Sequence, residues 1–214
     1  MEQEVAIPPL GLPGTLALPE NFGAAVLFAH GCGSSRLSPR NRHIAAGLQQ
    51  AGFATLLIDL LTEDEMRDPA NVFDVHRQSE RLLQAARFLR EESPVGTQPI
   101  GLYGASSGAA TALMAAARAA EHDGIAAVVC RGGRPDLAEE WLSAVAVPTL
   151  LIVGGRDGPA LALNTRAFEQ LHAVKALEVV PGAGRLFEEP GMLDTVTESS
   201  RVWFTTHLMQ AAGK

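Results

Sequence analysis

The stretch IGLYGASSGAATALMAAA, Ile100 to Ala117, changes character at its centre. Ile100 to Tyr103 is a β-prone run, Gly104-Ala105-Ser106-Ser107-Gly108 is a glycine-bracketed turn, and the alanine-rich run after it is helical. This strand, tight turn and helix is the context in which G-x-S-x-G acquires chemical meaning. The reason is steric: a serine on a sharp, strained turn needs glycines two residues to either side so that its hydroxyl can project from the top of a sheet. Ser106 is therefore the candidate nucleophile, and the rest of the sequence is searched for the group that takes its proton.

The surroundings of this stretch define the fold class. Short apolar runs alternate with amphipathic ones, the sequence form of a parallel sheet with crossover helices. Strands are predicted at Thr15 to Leu18, Ala24 to Ala29, Ala54 to Asp59, Pro99 to Tyr103, Ile125 to Cys130, Thr149 to Val153 and Ala176 to Val180. All but the first are nearly continuous apolar runs, as buried parallel strands are. Ser38-Pro39 has the chemistry of a helix start, and Asp68-Pro69 or Asn71 with Asp74 opens a second helix running to about Glu92. In that helix Val75, Ser79, Leu82, Ala86 and Leu89 keep three- and four-residue spacing, so one stripe faces the sheet. A last helix from Pro190 to Met209 is expected to bury Leu193, Val196, Trp203, Phe204 and Leu208. Residues 1–14, rich in proline and glycine, are expected to be an irregular lead-in to a single α/β domain covering 1–214. The segment between Cys130 and Pro148 is too short for an inserted lid domain.

Composition narrows the function. A net charge of -7 disfavours a nucleic-acid partner, which wants a basic face. No apolar run approaches the roughly 20 residues that cross a bilayer, and no leader pattern opens the chain, so a soluble cytoplasmic protein without a membrane partner is expected. Cys32 and Cys130 lie in no metal-ligand spacing and the six histidines are scattered, so neither a metal nor another cofactor is expected. A reducing compartment is the simpler reading for two such cysteines.

Ligands of open α/β sheets bind at the carboxyl ends of the strands. This chain places there His30-Gly-Cys-Gly-Ser-Ser-Arg36, Ser106, Cys130-Arg-Gly-Gly-Arg-Pro-Asp136, Gly154-Gly-Arg-Asp-Gly-Pro159 and Pro181-Gly-Ala-Gly-Arg-Leu-Phe-Glu-Glu-Pro190. From about Leu16 to His207 this order resembles the α/β-hydrolase superfamily, in its lidless dienelactone hydrolase-like branch. The fold so implied is a mostly parallel sheet of seven to eight strands flanked by helices. The resemblance further implies a serine hydrolase with Ser106 as nucleophile and Asp157 as acid. Its oxyanion hole would use the backbone N–H of Ser107 and one from the loop of Cys32 and Gly33. The histidine should precede the Leu186-Phe187-Glu188-Glu189-Pro190-Gly191 segment, and Arg185 stands in its place. An arginine stays charged near neutrality and cannot act as a general base. Four readings remain open: a serine hydrolase weakened by this loss, acting on esters or lactones of small anionic acids; a relative that binds a small anion without turnover; a proton acceptor elsewhere, with His76 in reach; and a chain redesigned around another base. Arg36, Arg131 and Arg134, with Arg185, fall on loops at the same sheet edge and are candidate anion-binding residues.

Overall fold

A computed structural model describes residues 1–209; the expected domain's residues 210–214 lie outside the described residues. Eight strands form one sheet in the order β1-β2-β4-β3-β5-β6-β7-β8. They are β1 Glu2–Ile7, β2 Leu12–Ala17, β3 Ala24–Ala29, β4 Phe53–Ile58, β5 Ile100–Ala105, β6 Ile125–Arg131, β7 Thr149–Gly154 and β8 Lys175–Val180. β2 runs antiparallel to both β1 and β4, and every pairing from β4 through β8 is parallel. β3, β4, β5 and β7 are buried along their whole length, which is why they read as unbroken apolar runs.

Residues 1–14 are not irregular. β1 and the start of β2 form a hairpin across a cis Pro8-Pro9 bond, with Glu4 opposite Thr15 and Ile7 opposite Leu12. Proline and glycine hid the pair in the sequence, yet Pro13 still offers its carbonyl to Asp59 N–H at 3.0 Å. Gly14 is where β2 passes closest to its neighbours: a Cβ there would lie 3.0 Å from both Leu56 and Val5.

The helices are α1 Pro39–Gln50, α2 Glu63–Met66, α3 Pro69–Val72, α4 Val75–Glu91, α5 Gly108–Arg118, α6 Gly158–Gln170 and α7 Met192–Phe204. Both proposed starts for the second long helix are used. Asp68 caps the single turn α3 through Ala70 N–H, and Asp74 caps α4 through Arg77 N–H. The stripe Val75, Ser79, Leu82, Ala86 and Leu89 is buried. α7 is shorter than the sequence predicts and continues as a π-helical turn, Thr205–Met209. Val196, Phe204 and Leu208 are buried, whereas Leu193 and Trp203 are only partly so. Apolar side chains on the two faces of the sheet form two packed cores, one against α4 and α5 and the other against α1 and α7. Among the described residues no helix is long and apolar enough to cross a membrane.

β3 lies between β4 and β5, so the chain leaves it in opposite directions on its two sides. That switch point opens a crevice at the carboxyl ends of β3 and β5, where Gly31 and Ser106 follow their strands.

Candidate active site

Ser106 has a backbone φ of 55°, in the left-handed region that a side chain disfavours. Three contacts over-determine it: its N–H donates to Arg131 O at 3.1 Å, and its carbonyl accepts from Ala109 N–H at 3.1 Å and Arg134 N–H at 3.0 Å. The bracketing glycines are required by close approach. A Cβ on Gly104 would lie 2.6 Å from Ala109 Cα, and one on Gly108 would collide with the Ala29 carbonyl. Gly31 has the same role across the crevice, since a Cβ there would lie 2.7 Å from Ser106 Cβ.

Ser106 lines a cavity of about 190 Å³ with Gly31, Cys32, Gly33, Ser34, Arg40, Asn41, Arg131, Gly132 and Arg185, among others. A second, more apolar cavity of about 450 Å³ adjoins it across the Gly31 to Ser34 wall and is closed by Leu37, Leu61, Met66 and Val72. Part of that wall comes from α2 and α3, two single turns that the sequence reading merged with the following helix or left unassigned.

Arg185 reaches the Ser106 cavity because its loop is anchored. Phe187 has a φ of 57° and a ring that is 1% exposed, and Glu189 Oε1 accepts from Gly184 N–H at 2.9 Å. The Arg185 carbonyl lies against Gly132, where a Cβ would be 2.9 Å away. Asp157 follows β7 and caps α6, its Oδ1 accepting from Ala160 N–H at 3.2 Å. Its other oxygen, Oδ2, is buried with no hydrogen-bond partner among the described residues. Arg156 N–H donates to Ala183 O at 2.9 Å, tying the Asp157 turn to the Arg185 loop.

One of the oxyanion candidates has a competing partner. Cys32 N–H is engaged by Ser107 Oγ at 2.8 Å, and the Ser107 hydroxyl donates to Cys32 Sγ at 3.0 Å. A substrate oxyanion would have to compete with Ser107 for the Cys32 donor. Gly33 lines the cavity with φ 71°. Cys32 is an exposed free thiol, while Cys130 is buried in the core away from the cavity, and burial raises its thiol pKa.

Of the four arginines, Arg131 and Arg185 line the Ser106 cavity. Arg36 turns away: its Nη1 donates to Asp59 Oδ2 at 2.9 Å and its Nη2 to Glu4 Oε2 at 2.9 Å. The hydrogen bond it donates to Glu4 is the main cause of its raised pKa. Arg134 folds onto Asp136 with Nε and Nη2 at 2.8 and 2.7 Å, so only its backbone serves the elbow. His76 is exposed on α4 with its ring edge-on to Trp141, centroids 6.0 Å apart, and does not line either cavity. His43 Nε2 pairs with Asp194 on the surface at 2.8 Å. His30 Nδ1 lies 3.0 Å from Gly31 O and orders the loop beside Ser106.

Two lining residues escaped the sequence reading. Arg40 and Asn41 stand in the first turn of α1, and the Ser38-Pro39 start at the carboxyl end of the sheet was the signal that could have found them.

The family model described as alpha/beta hydrolase fold matches residues 24–176. A solved structure of dienelactone hydrolase from Anabaena variabilis is 45% identical, with a TM-score of 0.90 and 97% of each chain covered. Est1E from Butyrivibrio proteoclasticus shares the fold at a TM-score of 0.79 and 16% identity, over 96% of this chain and 98% of that one. Two curated proteins of Mycobacterium tuberculosis, provisionally named phosphoribosyl transferase, are 49% identical over 207 residues. The match covers 97% of this chain and 46% of theirs, so the chain spans about half the length of these relatives. The matched model begins at β3 and runs through the elbow to the start of β8, and with it this chain belongs to the alpha/beta hydrolase fold family.

Proposed function

We propose that this chain is a dienelactone hydrolase-like serine hydrolase acting on esters or lactones of small anionic acids, with turnover slowed by the arginine at the base position. The observation that carries the reading is Ser106, held at φ 55° on a strand-turn-helix and lining a cavity shared with Arg131 and Arg185. In this reading Ser106 Oγ attacks the acyl carbon, the tetrahedral intermediate expels the alcohol as its acyl-oxygen bond breaks and the alcohol takes a proton from solvent, and a water then hydrolyses the acyl-enzyme to free the acid and Ser106. The Oγ proton has no neutral acceptor at position 185, so water takes it inefficiently; loss of one triad member typically costs several orders of magnitude in rate. The unpartnered Asp157 Oδ2 supports the acid assignment, since a buried carboxylate oxygen on a turn tied to the 185 loop would accept an imidazole N–H from that loop. The second reading, an anion binder without turnover, draws on the same Arg185.

The transferase name of the longer relatives describes proteins of which this chain matches less than half. The reading proposed for this chain rests on its own nucleophile elbow, because function follows the site. The two free cysteines fit a reducing compartment, so the reaction is assigned to the cytoplasm, and a Ser106 cavity of about 190 Å³ suits a small-molecule substrate.

A fluorophosphonate probe tests the reading. Labelling that is lost in Ser106→Ala supports the hydrolase. No labelling of the parent supports the binder.

A further inference from the structure

The Ser106 cavity carries more positive charge than its own carboxylates cancel. Three arginines line it, Arg40, Arg131 and Arg185. Arg40 is neutralised by Glu188, Nη1 to Oε1 at 2.7 Å. Arg131, 7% exposed, donates Nη2 only to the neutral Asn41 Oδ1 at 3.0 Å, and its Nε is buried without a partner among the described residues. Arg185 makes no ion pair among the described residues, and the acids of its loop are engaged elsewhere: Glu188 with Arg40, and Glu189 with Gly184 N–H and with Arg156 at 3.6 Å. A guanidinium withdrawn from water with no counter-charge is costly. In a chain of net charge -7, the buried Arg131 and the exposed Arg185, neither with a counter-charge among the described residues, call for an anionic ligand on one small cavity.

We infer that this cavity binds a phosphoryl dianion, free or as the terminal group of a monoester, between Arg131 and Arg185. The inference rests on the reading of the Ser106 cavity as the ligand site. A phosphate monoester carries about -1.5 to -2 at pH 7, which matches two guanidinium charges, and its three terminal oxygens accept from both planar forks at once. A carboxylate brings one charge and fills one fork, leaving the second cation uncompensated. Ser34 and Ser38 also line this cavity, and the adjoining apolar cavity has room for the remainder of an ester.

The test is calorimetric titration at matched ionic strength with inorganic phosphate, glycerol 3-phosphate and acetate. Both phosphoryl ligands are expected to bind at least about tenfold more tightly than acetate, with affinity rising as the second phosphate proton leaves near pH 6. Arg185→Ala, an exposed position whose loss should not disturb folding, is expected to weaken phosphoryl binding several-fold. Arg131→Gln, checked by its thermal midpoint, should weaken it more. Tighter binding of glycerol 3-phosphate points to an ester ligand, and tighter binding of inorganic phosphate to the free ion; both support the site. Equal affinity for acetate and phosphate, or unchanged affinity in Arg185→Ala, would overturn it. Fluorophosphonate labelling of the same protein reports on the nucleophile separately. Phosphoryl binding without labelling leaves this site standing and removes the hydrolase, and labelling without phosphoryl binding does the reverse.

Discussion

Gly108 and Gly158 both open helices at the carboxyl end of the sheet, yet they tolerate a side chain differently. A Cβ on Gly108 would collide with the backbone carbonyl of Ala29, which lies on a buried strand and cannot yield. Gly158 has nothing within 4 Å of the same atom and is not at positive φ. Gly108→Ala is therefore expected to destabilise by at least about 2 kcal/mol in urea unfolding, as overpacking against rigid backbone does. Gly158→Ala should stay within about 0.5 kcal/mol of the parent or stabilise slightly. Equal effects at the two positions would remove the steric account of the elbow. Asp157 makes a related point, because one oxygen caps α6 and the other has no partner. Asp157→Asn keeps a capping acceptor, so its thermal midpoint should move little.

At the scale of elements, α2 is held by one carboxylate. Glu65 accepts from Arg81 Nη1 and Nη2 at 2.7 and 2.6 Å and completes a capping box with Thr62. The Arg81 hydrogen bond is the main cause of a Glu65 pKa lowered to about 2. A carboxylate with a depressed folded-state pKa stabilises above its unfolded value, and that contribution is lost as pH falls through the folded one. Glu65→Gln should therefore cost about 1.5–3 kcal/mol at pH 7, the range for hydrogen bonds to charged groups. The gap between parent and variant should close as pH falls from about 4.5 to about 2. A gap unchanged at pH 2.5 would show that Glu65 does not act through its charge. What was legible in the sequence follows the same division. Strands buried on both faces announced themselves as apolar runs, and the stripe of α4 by its spacing. β1 did not, because Glu2–Ile7 is exposed along most of its length and forms no apolar run, and the Pro8, Pro9 and Gly11 turn and the Pro13-Gly14 start of β2 that follow it mask its pairing partner. That omission led to a second error. The Glu4 that draws Arg36 away from the cavity stands on β1, beside Thr15, whose hydroxyl also donates to it at 2.8 Å. Arg134 is a different case, since Asp136 was in view two residues on, but only the folded turn selects that partner over the cavity.

For the whole molecule, the site is a product of sheet order. Ser106 follows β5, the Gly31 loop follows β3, Arg131 ends β6, Asp157 follows β7 and Arg185 follows β8; strands distant in sequence bring them to one edge. On the proposed reading, elbow, acid position and loop are in place, and the chemistry of one side chain, Arg185, separates this site from a working triad. The direct measurement is the rate of p-nitrophenyl acetate hydrolysis by Arg185→His. The substitution supplies a base with an unperturbed pKa near 6.5, and general-base catalysis is typically worth about 10² to 10⁴ in rate. A gain in kcat/KM of about 10² or more is expected, lost when Ser106→Ala is added and largely lost with Asp157→Asn, because the three groups act as a unit. A variant no faster than the parent, or a gain that survives Ser106→Ala, would contradict the account.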